Sequence, residues 1–135
     1  MLLRPERLIG VHHELITVMT VAARYAPFDL LVIEGVRTKE RQEKLVARGS
    51  SWTMRSRHLV SKKSGFAHAV DIAPHFDTDS DGDMEPSWAW PDYYTLEPII
   101  KQAAADLDIP IEWGGDWTRV PKDGPHWQLP AKLYT

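Results

Sequence analysis

Residues Ser56–Pro74 read SRHLVSKKSGFAHAVDIAP. The run closes on AHAVDIA, Ala67 to Ala73, whose small and branched apolar residues read as a strand. His58 stands upstream of a polar, turn-like stretch, Ser61 to Gly65, while His68 and Asp71 sit on the strand itself. The segment is therefore either a core strand with incidental polar residues or part of a metal site whose remainder lies elsewhere in the chain.

Upstream of this strand, Leu8, Val11, Leu15, Val18, Met19 and Ala22 recur at spacings of three and four, which predicts an amphipathic helix ending before Pro27. DLLVIEG, Asp29 to Gly35, reads as a buried strand. TKERQEKLVARG follows as a short helix, with Thr38 as N-cap and Gly49 at the C-terminal end. Downstream, PHFDTDSDGDMEPSWAWP reads as a long polar loop. Tyr93, Leu96, Ile100, Ala103, Ala104 and Leu107 then mark one helix face, with Pro98 inside it, so the regular helix is expected to begin near Thr95 or to kink there. IPIEWGG and PHWQL read as two closing strands. Helices with strands between them and short connections predict an α+β fold with a small, mostly antiparallel sheet.

The 135 residues suit a single domain over 1–135. Sixteen basic and 19 acidic residues give a formal net charge of -3, with no basic run that would point to nucleic acid or an anionic membrane. Cysteine is absent, so disulfides and thiolate sites are excluded, and any metal must be held by histidine and carboxylate. No apolar run approaches the roughly 20 residues needed to span a bilayer, and MLLRPERLIG carries charges where a signal peptide needs its apolar centre.

Of the six histidines, His12, His13 and His75 read as surface residues. His58, His68, Asp71 and His126 are the donors suited to a catalytic zinc, which takes about three N or O ligands and leaves one position open. DGPH places Asp123 three residues before His126 across a tight Gly124–Pro125 connection, so both can face one cavity. Spacing alone leaves the alternative of packed, hydrogen-bonded histidines open. The acidic run DTDSDGD offers Asp77, Asp79, Asp81 and Asp83 in the pattern that begins a calcium loop, but an EF-hand's glutamate at the twelfth position is replaced by Trp88. A solvated acidic turn and a weak or regulatory calcium position are the two readings.

SRH, AHAVDIAP, IEWGGDW and DGPHWQL, in this order and with VIEGVRTKERQEKLVARGSS upstream, resemble the zinc D,D- and L,D-peptidases of the M15 type. The resemblance is greatest to the short phage endolysins that act as L-alanyl-D-glutamate peptidases, and it runs from about Asp29 to Leu129. It implies zinc held by His58, Asp71 and His126. It further implies Asp123 as the acidic general base, Arg37 near the scissile carbonyl, and Ser56 as a substrate or supporting contact; Gln42, on the following helix, reads equally as such a contact or as a surface residue. One departure stands out: twelve residues separate His58 from Asp71, more than in the family's usual pattern, which reads as a loop extension. His68 lies closer to Asp71, but residues three apart on a strand point to opposite faces, which makes it the poorer co-ligand.

The implied activity is hydrolysis of the L-Ala-D-Glu bond of peptidoglycan stem peptides during host lysis. The protein is expected to act as a monomer, without a wall-binding domain, released from the host cytoplasm through a holin. A D-Ala-D-Ala carboxypeptidase or dipeptidase of the same fold, and a silent zinc-binding module, are the alternatives. Trp113, Trp117 and Trp127 flank the site, and one of them is expected to wall the substrate cleft.

Overall fold

A computed structural model describes residues 1–51 and 53–135. Six strands form one sheet: β1 (Leu2–Leu3), β2 (Asp29–Glu34), β3 (Ala69–Phe76), β4 (Glu85–Pro86), β5 (Glu112–Trp113) and β6 (His126–Gln128). The order is β1-β2-β3-β6-β5, with β4 pairing β3. Three helices accompany it: α1 (His13–Tyr25), α2 (Lys39–Ala47) and α3 (Trp90–Asp106). The α+β class stands, but the sheet is mixed rather than mostly antiparallel, because β1 runs parallel to β2. A two-residue strand has no periodicity that sequence inspection can detect.

Three element boundaries differ from expectation. Leu8 lies in a separate 3-10 turn, and Gly10 at φ 88° breaks the helical pattern; α1 begins only after His12, whose Nδ1 accepts from the Glu14 amide at 3.1 Å. Helix α3 starts at Trp90, with a proline in its first turn, and continues through Pro98. The ring at 98 removes the hydrogen bond that the Tyr94 carbonyl would accept, and Tyr94 is exposed to water that can replace it. The expected long loop after β3 is a hairpin, in which β3 runs on to Phe76 and Glu85–Pro86 pairs back onto His75 and Phe76.

The core lies between the sheet and the two long helices. Leu15, Val18 and Met19 of α1 and Leu96, Ile100 and Ala103 of α3 share it with Leu30 and Val32 of β2, Val70 and Ile72 of β3 and Trp127 of β6. Alternation along β3 then turns Asp71 to the opposite face, and alternation along β6 does the same for His126 and Gln128. Strand pairing sets Asp71 directly opposite His126. On its other side Asp71 faces Glu34, across a register shift between Val32 and Glu34. Without that bulge Glu34 would share the core face of Leu30 and Val32; the extra residue rotates it toward Asp71.

Candidate metal centre

His58 reaches this face from the connection between α2 and β3. Its segment is tied down by a backbone hydrogen bond from the Arg37 amide to the His58 carbonyl, at 2.9 Å, and by the Ser56 hydroxyl, which accepts from the His58 amide at 3.2 Å. The residues after it form a closed turn: Ser61 donates its amide to Phe66 and Gly65 donates to Ser61, at 2.9 and 2.8 Å. The additional residues therefore loop out and return, and His58 Nε2 lies 3.2 Å from Asp71 Oδ1. His126 Nδ1 lies 3.5 Å from the same oxygen. One donor atom from each of His58, Asp71 and His126 falls within 4.8 Å of the other two.

The chemistry of these donors fits a zinc ion. His58 Nδ1 donates to the Gly35 carbonyl at 2.8 Å, which leaves the Nε2 lone pair directed at Asp71. His126 Nε2 donates to Gln128 Oε1 at 2.7 Å, which leaves Nδ1 facing the same carboxylate. Gln128 in turn donates to Glu112 at 3.1 Å, fixing the orientation of its amide. Such outer partners set the tautomer of a metal-binding imidazole and raise its basicity. Burial pushes the Asp71 carboxyl up, but its interactions with His58 and His126, whose facing nitrogens carry a second proton when no metal takes its place, outweigh it and hold the group ionised, well below the usual aspartate range. Burial would lower His126; its bonds and charge interaction with Asp71 raise it instead.

His68 has no place in this cluster. It is buried, its Nδ1 accepts from Arg57 at 2.8 Å, and its Nε2 faces the Ser64 hydroxyl at 2.9 Å, so both ring nitrogens are engaged elsewhere. Burial and then the Arg57 charge lower its pKa, in keeping with a neutral ring.

Asp123 is half-buried beside the triad, and burial followed by the Asp71 charge raises its carboxyl above the ordinary range. The turn that carries it is held by close backbone approach: a Cβ on Gly114 would stand 2.3 Å from the Asp123 carbonyl oxygen and 3.0 Å from the His126 Cβ. Arg37 is fixed by a two-pronged pair with Glu34, at 2.9 and 2.8 Å, by Gln42 Oε1 at 2.9 Å, and lies 3.9 Å from Asp71. Gln42 is fully buried, and its amide also donates to Ser51 and to the Thr53 carbonyl, so it holds Arg37 and the following loop from beneath. Ser56 lines the cleft and lies 3.5 Å from Arg37.

The cleft over this cluster measures about 660 Å³ and is lined by His58, Asp123 and His126. Trp117 forms part of its wall, with its ring 4.9 Å from that of His126. Trp113 and Trp127 are buried and stacked on each other at 5.7 Å, so among the three tryptophans expected near the site they belong to the core. Glu34 and Gln128 are site residues that the sequence reading missed. Gln128 had a signal, since it lies two residues from His126 on a strand and so shares its face; Glu34 had none, because the bulge reverses its face.

A second group of donors comprises Asp77, Asp79, Asp81 and Glu85, which can hold a cation through oxygen ligands. Asp83, expected among them, lies outside the group and donates its amide to Asp81 at 2.8 Å. Glu85 takes its place because the hairpin folds β4 back over the turn, where Thr78 donates its amide to Glu85 at 3.2 Å. Among the described residues no helix is long and apolar enough to cross a membrane.

The chain is similar to known proteins. An L-alanyl-D-glutamate peptidase of Escherichia phage T5 is 28% identical over 116 residues, covering 83% of this chain and 76% of that protein. One of Listeria phage A118 is 33% identical over 106 residues; the match takes in 78% of this chain but only 32% of the relative. The crystal structure of the Serratia marcescens L-Ala D-Glu endopeptidase ChiX superimposes with a TM-score of 0.80 at 39% identity, covering 96% of this chain and 87% of that one. The family model for phage L-alanyl-D-glutamate peptidases matches residues 4–128. With nearly the whole chain inside that match, from the first 3-10 turn to the end of β6, the protein belongs to the phage L-alanyl-D-glutamate peptidase family.

Proposed function

We propose that the protein is a zinc-dependent peptidase that cuts the L-Ala-D-Glu bond of peptidoglycan stem peptides in phage-induced lysis, reaching the wall from the host cytoplasm through a holin. The observation that carries this reading is the convergence of the free imidazole lone pairs of His58 and His126 on the ionised Asp71, with Asp123 beside them as a carboxylate outside the donor set.

His58, Asp71 and His126 would hold the metal, which when bound supplies Lewis acidity and lowers the pKa of water to about 7. Asp123 accepts the proton of the attacking water and delivers it to the departing amine of the glutamate. Arg37, held rigid by Glu34 and Gln42, offers its guanidinium to the oxygen of the scissile carbonyl as negative charge develops there. Ser56 steadies the segment bearing His58. Trp117 gives the cleft an apolar wall against which a peptide backbone can lie.

Zinc analysis of protein purified without chelator, paired with digestion of purified sacculi, tests the reading. One zinc per chain and release of soluble peptides support it; a protein that binds no zinc, or binds it and leaves sacculi intact, contradicts it. For the acidic turn the corresponding proposal is calcium, held by Asp77, Asp79, Asp81 and Glu85, and a calcium titration that produces no heat would remove it.

A further inference from the structure

The distribution of charge around the cleft is lopsided. The chain as a whole is acidic, yet six of its 16 basic residues line this cleft among the described residues, against one of its 19 acids, Asp123. Four of the six are engaged by neighbours. Arg37 and Arg41 both bind Glu34, and Arg57 donates to the Tyr134 carbonyl and His68. Arg119 lies over the Trp117 ring at 3.9 Å. Arg55 and Lys122 differ from these: both are exposed, and neither forms an ion pair with any described residue. They come from different segments bordering the site, Arg55 three residues before His58 and Lys122 immediately before Asp123.

A concave site lined by one sign of charge concentrates and orients ligands of the other sign. Resting on the peptidase reading above, the substrate has a matching feature. A glutamate whose amine forms the scissile bond carries two carboxyl groups, and the onward chain needs only one of them, so the other is a free acid close to the bond that breaks. We propose that Arg55 and Lys122 determine specificity by binding this free carboxylate, so that the enzyme selects stem peptides with an unmodified glutamate over those in which the carboxyl is an amide. The amide is nearly the same size but has no charge, and its NH2 group presents a donor to two donors.

The test uses two peptides, N-acetyl-L-alanyl-γ-D-glutamyl-L-lysinamide and its glutamate α-carboxamide, with the full-length, zinc-loaded protein. The acid is expected to be cleaved with about tenfold higher kcat/KM than the amide, the size of one charge-assisted contact, with the difference mainly in KM. In the double variant Arg55→Gln/Lys122→Gln that ratio should fall to about one, and added salt should erode it in the parent. Both side chains are exposed, so the double variant is expected to fold, which circular dichroism checks. Binding of the same peptides to zinc-loaded Asp123→Asn separates the inference from the reading beneath it. Preference for the acid in binding without hydrolysis by the parent supports the carboxylate site and sinks the peptidase assignment. Equal cleavage of acid and amide by the parent, or a preference that survives the double substitution, overturns the carboxylate site and leaves the peptidase standing.

Discussion

His58, Asp71 and His126 each come from a different segment, and the state of each imidazole is set by a partner outside the donor set: the Gly35 carbonyl for His58 and Gln128 for His126. Replacing His126 with alanine leaves two donors, and we expect zinc retention and lytic activity to be lost together. His68→Ala should keep the metal, because both nitrogens of that ring are engaged away from the cluster. Metal content of these two purified variants and of His58→Ala checks this, and loss of zinc from His68→Ala with retention in His58→Ala would reverse the ligand assignment. Asp123→Ala separates binding from chemistry. It should retain zinc and fold while hydrolysis falls by roughly 10²–10⁴-fold, since no group then accepts and returns the proton. A variant that sheds its zinc would make Asp123 a ligand instead. Residue types and spacing left the zinc reading open beside packed histidines; the resemblance of the ordered motifs to the M15-type peptidases is what singled out His58, Asp71, His126 and Asp123. What the motifs could not give was the support: Gln42 read equally as a substrate or supporting contact and as a surface residue, and its complete burial against Arg37 rules out the surface.

Among the elements, the β2 bulge and the 114–126 connection do the positioning. Strand alternation set His68 apart from Asp71, and the hydrophobic stripe located α1 and α3. It could not locate Glu34, because a bulge is set by pairing between strands and leaves no mark in the periodicity of one of them. Nor could it foresee that the acidic loop closes as a hairpin, since β4 is only two residues long. Gly114 is the most demanding point in the connection: an added methyl group meets backbone, which cannot rotate away as a side chain would. Gly114→Ala is therefore expected to destabilise the fold by about 1–3 kcal/mol and to weaken zinc binding, because the displaced atoms belong to Asp123 and His126. Denaturant unfolding and a competitive zinc titration measure both effects; unchanged zinc affinity would show that the turn adjusts without moving its side chains. The stretch around His68 yields a pH prediction. Burial and the charges of Arg57 and His12 lower the pKa of His68 in the fold, so the unfolded chain takes up the proton first. Stability from this group is complete above the unfolded value near 6.5 and is lost as pH falls from there through the lowered folded value. Compared in chelator, the parent should lose more stability than His68→Gln between about pH 7.5 and about pH 5. Parallel losses would mean that His68 does not titrate on unfolding.

At the scale of the whole molecule, the charge pattern decides where the protein can act. The net charge is -3, basic side chains gather in the cleft, and the exposed positions of α1 carry His13, Thr17, Thr20, Arg24 and Tyr25, which make no cationic amphipathic face. Protein added from outside is therefore expected to leave intact Gram-negative cells unlysed, and to lyse the same cells once chloroform or a chelator has opened the outer membrane and, with the chelator, zinc has been restored. Turbidity recordings check this, and rapid lysis of untreated cells would reveal a membrane-active surface. The family match points to one bond in the wall polymer. The most direct measurement is mass spectrometry, with amino-terminal analysis, of the fragments released from purified sacculi by the zinc-loaded protein. New amino-terminal D-glutamate, together with L-alanine left as a free carboxyl on the glycan strand, is the predicted result. Release of terminal D-alanine alone, with the L-Ala-D-Glu bond intact, would contradict it.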